Sequence, residues 1–193
     1  MVLLHVPRLA WTLARGAISH PANARLPAYG LSRSAPHVYA ARVSPLFDVD
    51  QFMHMNNAAY FVHAELARWE HGLATGSVRA IQSTGAAFVV ASTAMRYRKE
   101  LRPLQSFEIR SSVTAADDRS MWFLQTFHTS SAVDAPAAAG GMCRAVLRKG
   151  REVVSPLSLI ASMDADEAML DDLRAAAPSS ENEALSILEK ALT

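Results

Sequence analysis

From Asn57 onward, Ala58, Phe61, Val62, Leu66 and Trp69 recur at helical spacing, and Gly72 and Gly76 follow as stop signals. The pattern predicts one helix of about five turns. Before it, His37 to Ser44 alternates Val38, Ala40 and Arg42 against Tyr39, Ala41 and Val43, and Pro45 closes this first strand. After it the period changes to two. Ala86 to Tyr97 is rich in Val, Thr and aromatic residues, Phe107 to Val113 alternates, Met121 to His128 is strongly aromatic, and Met142 to Leu147 alternates again. Asp117, Asp118 and Arg119 mark a tight turn between the third and fourth strands. The order is strand, helix, then four strands whose short connections make the later ones antiparallel. This is an α+β pattern: one long helix must cover one face of a curved five-stranded sheet.

The remaining chain forms two extensions. Residues 163–193 read as helices, with Ser162 capping a segment through Met169, Leu170 and Leu173, and Ser180 with Glu183 forming a capping box before Leu185, Leu188 and Leu192. Residues 1–36 precede the domain at 37–162. Charge separates these parts. Met1 to Phe47 holds five arginines and no acid, whereas Met163 to Thr193 holds eight acids against Arg174 and Lys190. The net charge of +1 therefore hides a cationic head and an anionic tail, and no nucleic-acid footprint is needed to explain it.

The head also carries Leu3, Leu4, Val6, Leu9, Trp11, Leu13 and Ala14 among its arginines and serines, the composition of an organellar presequence, so a mitochondrial location is expected. Pro7 and Arg8 interrupt the apolar run before it reaches the roughly 20 residues of a membrane span. The single cysteine, Cys143, excludes an intramolecular disulfide and offers no zinc-ligand spacing. Its apolar strand setting makes it a packed side chain rather than a nucleophile.

Chemistry concentrates between Asp48 and Tyr60, in DVDQFMHMNNAAY. Asn56 and Asn57 are good capping residues, which puts Asp48, Asp50 and His54 in the loop feeding a helix N-terminus. Backbone N–H groups and the helix dipole there can stabilise negative charge on a substrate.

The run DVDQFMHMNNAAYFVHAELAR, the strand order and FVVASTAMRYRKELRPLQSFEIRSSVTAADDRSMWFLQTF together resemble hotdog-fold thioesterases of the 4-hydroxybenzoyl-CoA thioesterase type, and among them the thioesterase superfamily member six subgroup. The resemblance covers roughly Tyr39 to Ile160. It implies an antiparallel sheet wrapped around the long helix, side-by-side dimers with continuous sheets, and an acyl-thioester site at the subunit interface. On the family pattern Asp50 aligns with the catalytic carboxylate, which can act as nucleophile or as base toward water without metal or cofactor. Coenzyme A enters only as part of the substrate.

Each candidate residue has a second reading. Asp48 suits a hydrogen-bond acceptor that closes the loop. Asp50 is either catalytic or an inherited structural acid. His54 can orient the carboxylate or the thioester carbonyl, or be a satisfied ring beside Phe52, Met53 and Met55. Asn57 marks the oxyanion position at the helix start. Glu65 lies on the helix from which related thioesterases can draw their carboxylate, and an ion pair with Arg68 is its alternative. Arg96, Arg98, Lys99 and Arg102 suit the phosphates of coenzyme A, or form a solvated strand face. Met53 replaces a glycine that some family members use before the histidine, and Phe52 replaces an asparagine of plant acyl-carrier-protein thioesterases. Two functions remain: hydrolysis of acyl-CoA, or a catalytically inactive hotdog subunit, homodimeric or hetero-oligomeric, serving a mitochondrial protein complex.

Overall fold

The computed structural model describes residues 7, 8, 10–12, 14 and 35–192, so most of the expected presequence lies outside the described residues. Five strands, β1 (His37–Arg42), β2 (Ala87–Tyr97), β3 (Ser106–Ala116), β4 (Met121–His128) and β5 (Ala139–Lys149), make an antiparallel sheet in the order β1-β3-β4-β5-β2. A sixth short strand, β6 (Glu152–Val154), pairs with the end of β5 and was not anticipated. The Asp117 turn forms as expected: its Oδ1 accepts the N–H groups of Arg119 and Ser120 at 2.7 and 2.6 Å.

Helix α1 (Asn57–Ala74) crosses the concave face. Its inward stripe includes Ala59, Tyr60, Ala64 and Ala67, which pack with Leu66 against Tyr39, Phe107, Ile109 and Phe127 of the sheet. Leu66 is 1 % exposed, and burying such a side chain contributes about 2 kcal/mol. Gly76, at φ 77°, turns the chain into a second helix, α2 (Ser77–Thr84). Between Gly76 and Gly85 the sequence reads as a loop; SVRAIQST is only eight residues long, has no side-chain cap, and none of its residues is buried.

Three further helices follow, α3 (Pro156–Ala161), α4 (Glu167–Ala175) and α5 (Glu181–Lys190). Two boundaries differ from the reading. Ser162 ends α3 rather than capping α4, and the cap of α4 is Asp166, whose side chain accepts from the Met169 N–H at 2.7 Å. The box at α5 is half formed. Ser180 Oγ accepts from the Glu183 N–H, while the Glu183 carboxylate accepts from the N–H and hydroxyl of Ser179, both at 2.7 Å.

Helices α3 and α4 bury Leu157, Ile160 and Leu173 against Phe123 and Cys143. Helix α5 instead covers the outer face through Leu188, with Leu192 just beyond its end, over Trp122, Leu124 and Met142. Strand β5 starts earlier than the alternation predicts because Gly140 and Gly141 belong to it. A Cβ at Gly140 would stand 2.8 Å from Leu192 Cδ2 and 3.1 Å from Leu188 Cδ1, so the bare backbone admits the tail. Cys143 is buried as expected, and burial pushes its thiol pKa up.

Candidate active site and its relatives

The motif folds as a small hairpin. Val49 and Met55 pair across it, the Asp50 N–H donates to the His54 carbonyl at 3.0 Å, and the Met53 N–H donates to the Asp50 carbonyl at 3.1 Å. Asp50 Oδ1 accepts the N–H groups of Phe52 and His54 at 2.9 and 3.3 Å, which aims the acid inward across its own turn. Met53 has φ 59°, a left-handed conformation that favours glycine. Its side chain and that of Phe52 are exposed, so neither fills a groove beside Asp50, whereas Met55 is buried in the core.

The helix start is built as expected. Asn56 is the cap, its Oδ1 accepting the Ala58 N–H at 2.8 Å and its carbonyl accepting the Ala59 N–H. Asn57 is exposed at the first helical position, and the Tyr97 hydroxyl donates to its carbonyl at 3.5 Å. Tyr97 packs edge-on to the buried Tyr60 at 4.9 Å, and burial raises both phenol pKa values, that of Tyr60 to about 12. The carboxylate turn and the capped helix start are therefore consecutive in one rigid segment.

The other candidates do not gather on Asp50. The His54 ring turns away to Glu100, with Nε2 and Oε2 2.9 Å apart, and His54 touches Asp50 through its backbone N–H and carbonyl. Arg102 also pairs with Glu100 at 2.7 Å, and its hydrogen bond does most to lower the exposed carboxyl's pKa. Arg96 is on the opposite face of β2 from Tyr97 and pairs with Glu189 of α5. Arg98 and Lys99 are exposed, and both backbone N–H groups donate to the Ala138 carbonyl at 2.8 Å. Glu65 is half-buried, roughly two turns into α1. Arg68 reaches inward to Gln125 Oε1 at 2.7 Å.

Asp48, the companion acid, holds the most heavily bonded position in the loop. It is 1 % exposed, and its carboxylate accepts from His63 Nε2 at 3.1 Å, Arg8 Nη1 at 2.8 Å and the Ser44 N–H at 2.8 Å. Burial alone would raise its pKa, but the bonds from His63, Arg8 and Ser44 outweigh it and bring the value down to about 2. His63 Nδ1 is buried and has no hydrogen-bond partner among the described residues. Farther along α1 a second polar cluster is buried: His37 Nε2 donates to Glu70 at 3.2 Å, His37 stacks on His71 at 5.6 Å, and His71 shares a hydrogen bond with Ser111 at 3.3 Å. Desolvation, aided by nearby His37, drops the His71 pKa to about 3.

The sequence reading missed His63, Glu70 and His71. The signal was present: counted from Tyr60, positions 63, 64, 67, 70, 71 and 74 form the inward stripe, and three of them are ionisable.

A family model described as the thioesterase-like superfamily matches residues 45–178, most of the chain. The chain belongs to this superfamily. Protein THEM6 of Xenopus laevis is 34 % identical over 117 residues, 61 % of this chain and 56 % of that protein. Protein THEM6 of Danio rerio is 34 % identical over 105 residues, 54 % of this chain and 51 % of that protein. The chain thus spans about half the length of these curated relatives. Among solved structures, a probable thioesterase, YbaW of Escherichia coli, superposes with TM-score 0.59 at 18 % identity, covering 71 % of this chain and 98 % of that one. The gentisyl-coenzyme A thioesterase BH1999 superposes with TM-score 0.53 at 18 % identity, covering 64 % and 98 %. The superfamily match and these superpositions make the architecture a hotdog thioesterase fold.

Proposed function

We propose that the protein hydrolyses an acyl-CoA thioester, with Asp50 as the reacting carboxylate. The observation that carries this reading is the hairpin in which Asp50, held by the Phe52 and His54 N–H groups, leads directly into the capped start of α1. Only Oδ1 is engaged among the described residues, which leaves Oδ2 for chemistry. As base it takes a proton from water, whose hydroxide adds to the thioester carbonyl; as nucleophile it forms an acyl anhydride that water then opens. In both, the C–S bond breaks and the coenzyme thiolate leaves to be protonated. The N–H of Asn57, left over at the first turn by helix geometry, would meet the oxyanion in this reading. No metal or cofactor enters.

Arg98 and Lys99 are the better candidates for coenzyme A phosphates, because Arg96 and Arg102 already face glutamates. The remaining walls of the site would come from a second copy. Strand β2 is an edge of the sheet, eleven residues long, with Val89 and Val90 exposed, and pairing two such edges would continue the sheet across a homodimer. A mitochondrial location rests on the arginine-bearing, acid-free head.

The test is turnover of acyl-CoAs of graded chain length by wild type and Asp50→Asn. The asparagine keeps an Oδ1 acceptor for the turn, so a loss on the order of a hundredfold or more would report chemistry rather than unfolding. Equal turnover by the variant would remove Asp50 from the mechanism. Absence of turnover by the wild type would favour the inactive accessory subunit.

A further inference from the structure

Large apolar side chains crowd one end of the molecule, outside every core. Leu46 and Phe47 are 82 % and 53 % exposed, Phe52 and Met53 of the hairpin tip 68 % and 60 %, and Leu104 of the β2–β3 turn 62 %. Their loops are tied side by side. The Leu104 N–H donates to the Val43 carbonyl at 2.9 Å, the Val43 N–H to the Gln105 carbonyl at 2.9 Å, and the Met55 N–H to the Leu101 carbonyl at 2.8 Å. The N-terminal segment joins them: the Arg8 guanidinium lies 5.4 Å from the centre of the Phe47 ring, and Trp11 is 69 % exposed while its neighbour Thr12 is buried.

Backbone strain distinguishes this patch from chance exposure. Among the described residues three non-glycine residues have positive φ, Met53 at 59°, Leu104 at 64° and Asp164 at 64°, and two of them are these exposed apolar residues on adjoining loops. A long apolar side chain gains nothing there from packing, and glycine or asparagine would fit the backbone with less strain. The surroundings are cationic. Arg42, Arg98, Lys99 and Arg102 are exposed at the same end, whereas its acids are engaged: Asp48 with His63 and Arg8, Asp50 in its turn, Glu100 with His54 and Arg102. The acidic helices α4 and α5 pack elsewhere, on the second core and the outer face.

We propose that this end is a membrane-docking face, in which Trp11, Phe47, Phe52, Met53 and Leu104 enter the boundary between headgroups and acyl chains of an anionic lipid surface. Arg42, Arg98 and Lys99 meet the lipid phosphates. Aromatic and aliphatic tips ringed by lysine and arginine are the chemistry of interfacial binding, and the cationic rim selects a lipid surface over an apolar protein groove. The proposal does not rest on turnover, since an inactive protein would dock in the same way, although it shares Arg98 and Lys99 with the proposed coenzyme A contacts.

The test is co-sedimentation of the full chain with vesicles of phosphatidylcholine alone, or with one-third phosphatidylserine. Wild type is expected to partition onto the anionic vesicles far more than onto the neutral ones. Phe52→Ser with Leu104→Asn should lower that partition on the order of tenfold, and Arg42→Gln and Lys99→Gln each about fivefold. Met53→Gly should also weaken binding while its Tm stays at or above that of wild type, because the strain is relieved. The proposal is overturned if wild type binds neither vesicle, or if Phe52→Ser with Leu104→Asn binds as wild type does. It is equally overturned if that variant disrupts self-association in solution while vesicle binding is unchanged, because the loops would then cover a second copy.

Discussion

Asp48 and His63 meet at 3.1 Å inside the domain, fifteen residues apart in the chain, and this contact fastens the motif loop to the middle of α1. The conspicuous DVD motif thus divides its labour: Asp48 is buried against the helix, and Asp50 shapes the hairpin tip.

Removing the buried acid should be costly. Asp48→Ala leaves Arg8, His63 and the Ser44 N–H without their shared acceptor, and a loss of about 3–5 kcal/mol is expected, read from the midpoint of urea unfolding. A change below about 1 kcal/mol would mean that the loop is not anchored there.

The same acid sets the low-pH limb of stability. Its pKa is about 2 in the folded protein against 3.8 ordinarily, so the unfolded chain binds the proton first as pH falls. The stabilisation is complete above about pH 4 and is lost toward pH 2, about 2 kcal/mol in all. Asp48→Asn should remove this dependence in acid titrations of unfolding.

His71 acts in an earlier window. Its folded pKa of about 3 lies below the ordinary 6.5, so below pH 6.5 the unfolded chain takes up a proton that the folded one refuses. Stability should therefore decline from about pH 6.5 toward pH 3 with a slope near 1.4 kcal/mol per pH unit. His71→Asn should flatten that slope, and calorimetry between pH 4 and pH 7, a window roughly bounded by those values, would read it.

Gly140→Ala tests the seat of α5. The new methyl meets Leu192 and Leu188 within 3.1 Å, and about 1–3 kcal/mol of strain should loosen the tail, seen as faster proteolysis beyond Pro178. Glu189→Gln, which breaks only the exposed pair with Arg96, should cost less than 1 kcal/mol.

Edge pairing has its own readout. Wild type should have a native mass of twice 20.9 kDa, and Val89→Lys with Val90→Lys should shift it toward one chain, since lysines on an edge strand oppose pairing. A wild type that runs as a single chain would refute the dimer.

Much of the architecture was legible locally. The long helix, the strand containing Met121 to His128, the Asp117 turn and the Asn56 cap each depend on periodicity or on side chains bonding to backbone within a few residues. What was missed lacked such a signal. Helix α2 is eight residues long, has no side-chain cap and holds no fully buried residue, and β6 is three residues long and exists by pairing with β5. The start of α4 passed to Asp166 because α3, held by Leu157 and Ile160, uses Ser162 at its own end.

The candidate site shows the same division. The order of residues alone determined that Asp50 precedes a capped helix start, because the Asx turn and the cap are local hydrogen bonds. Only the tertiary structure decided that Asp48 goes inward to His63 and Arg8, that His54 turns to Glu100, and that Arg96 faces Glu189 on the far side of the sheet. Those choices rest on partners from 15 to 93 positions away, which the packing of helices and loops on the sheet brings together and spacing along the chain does not.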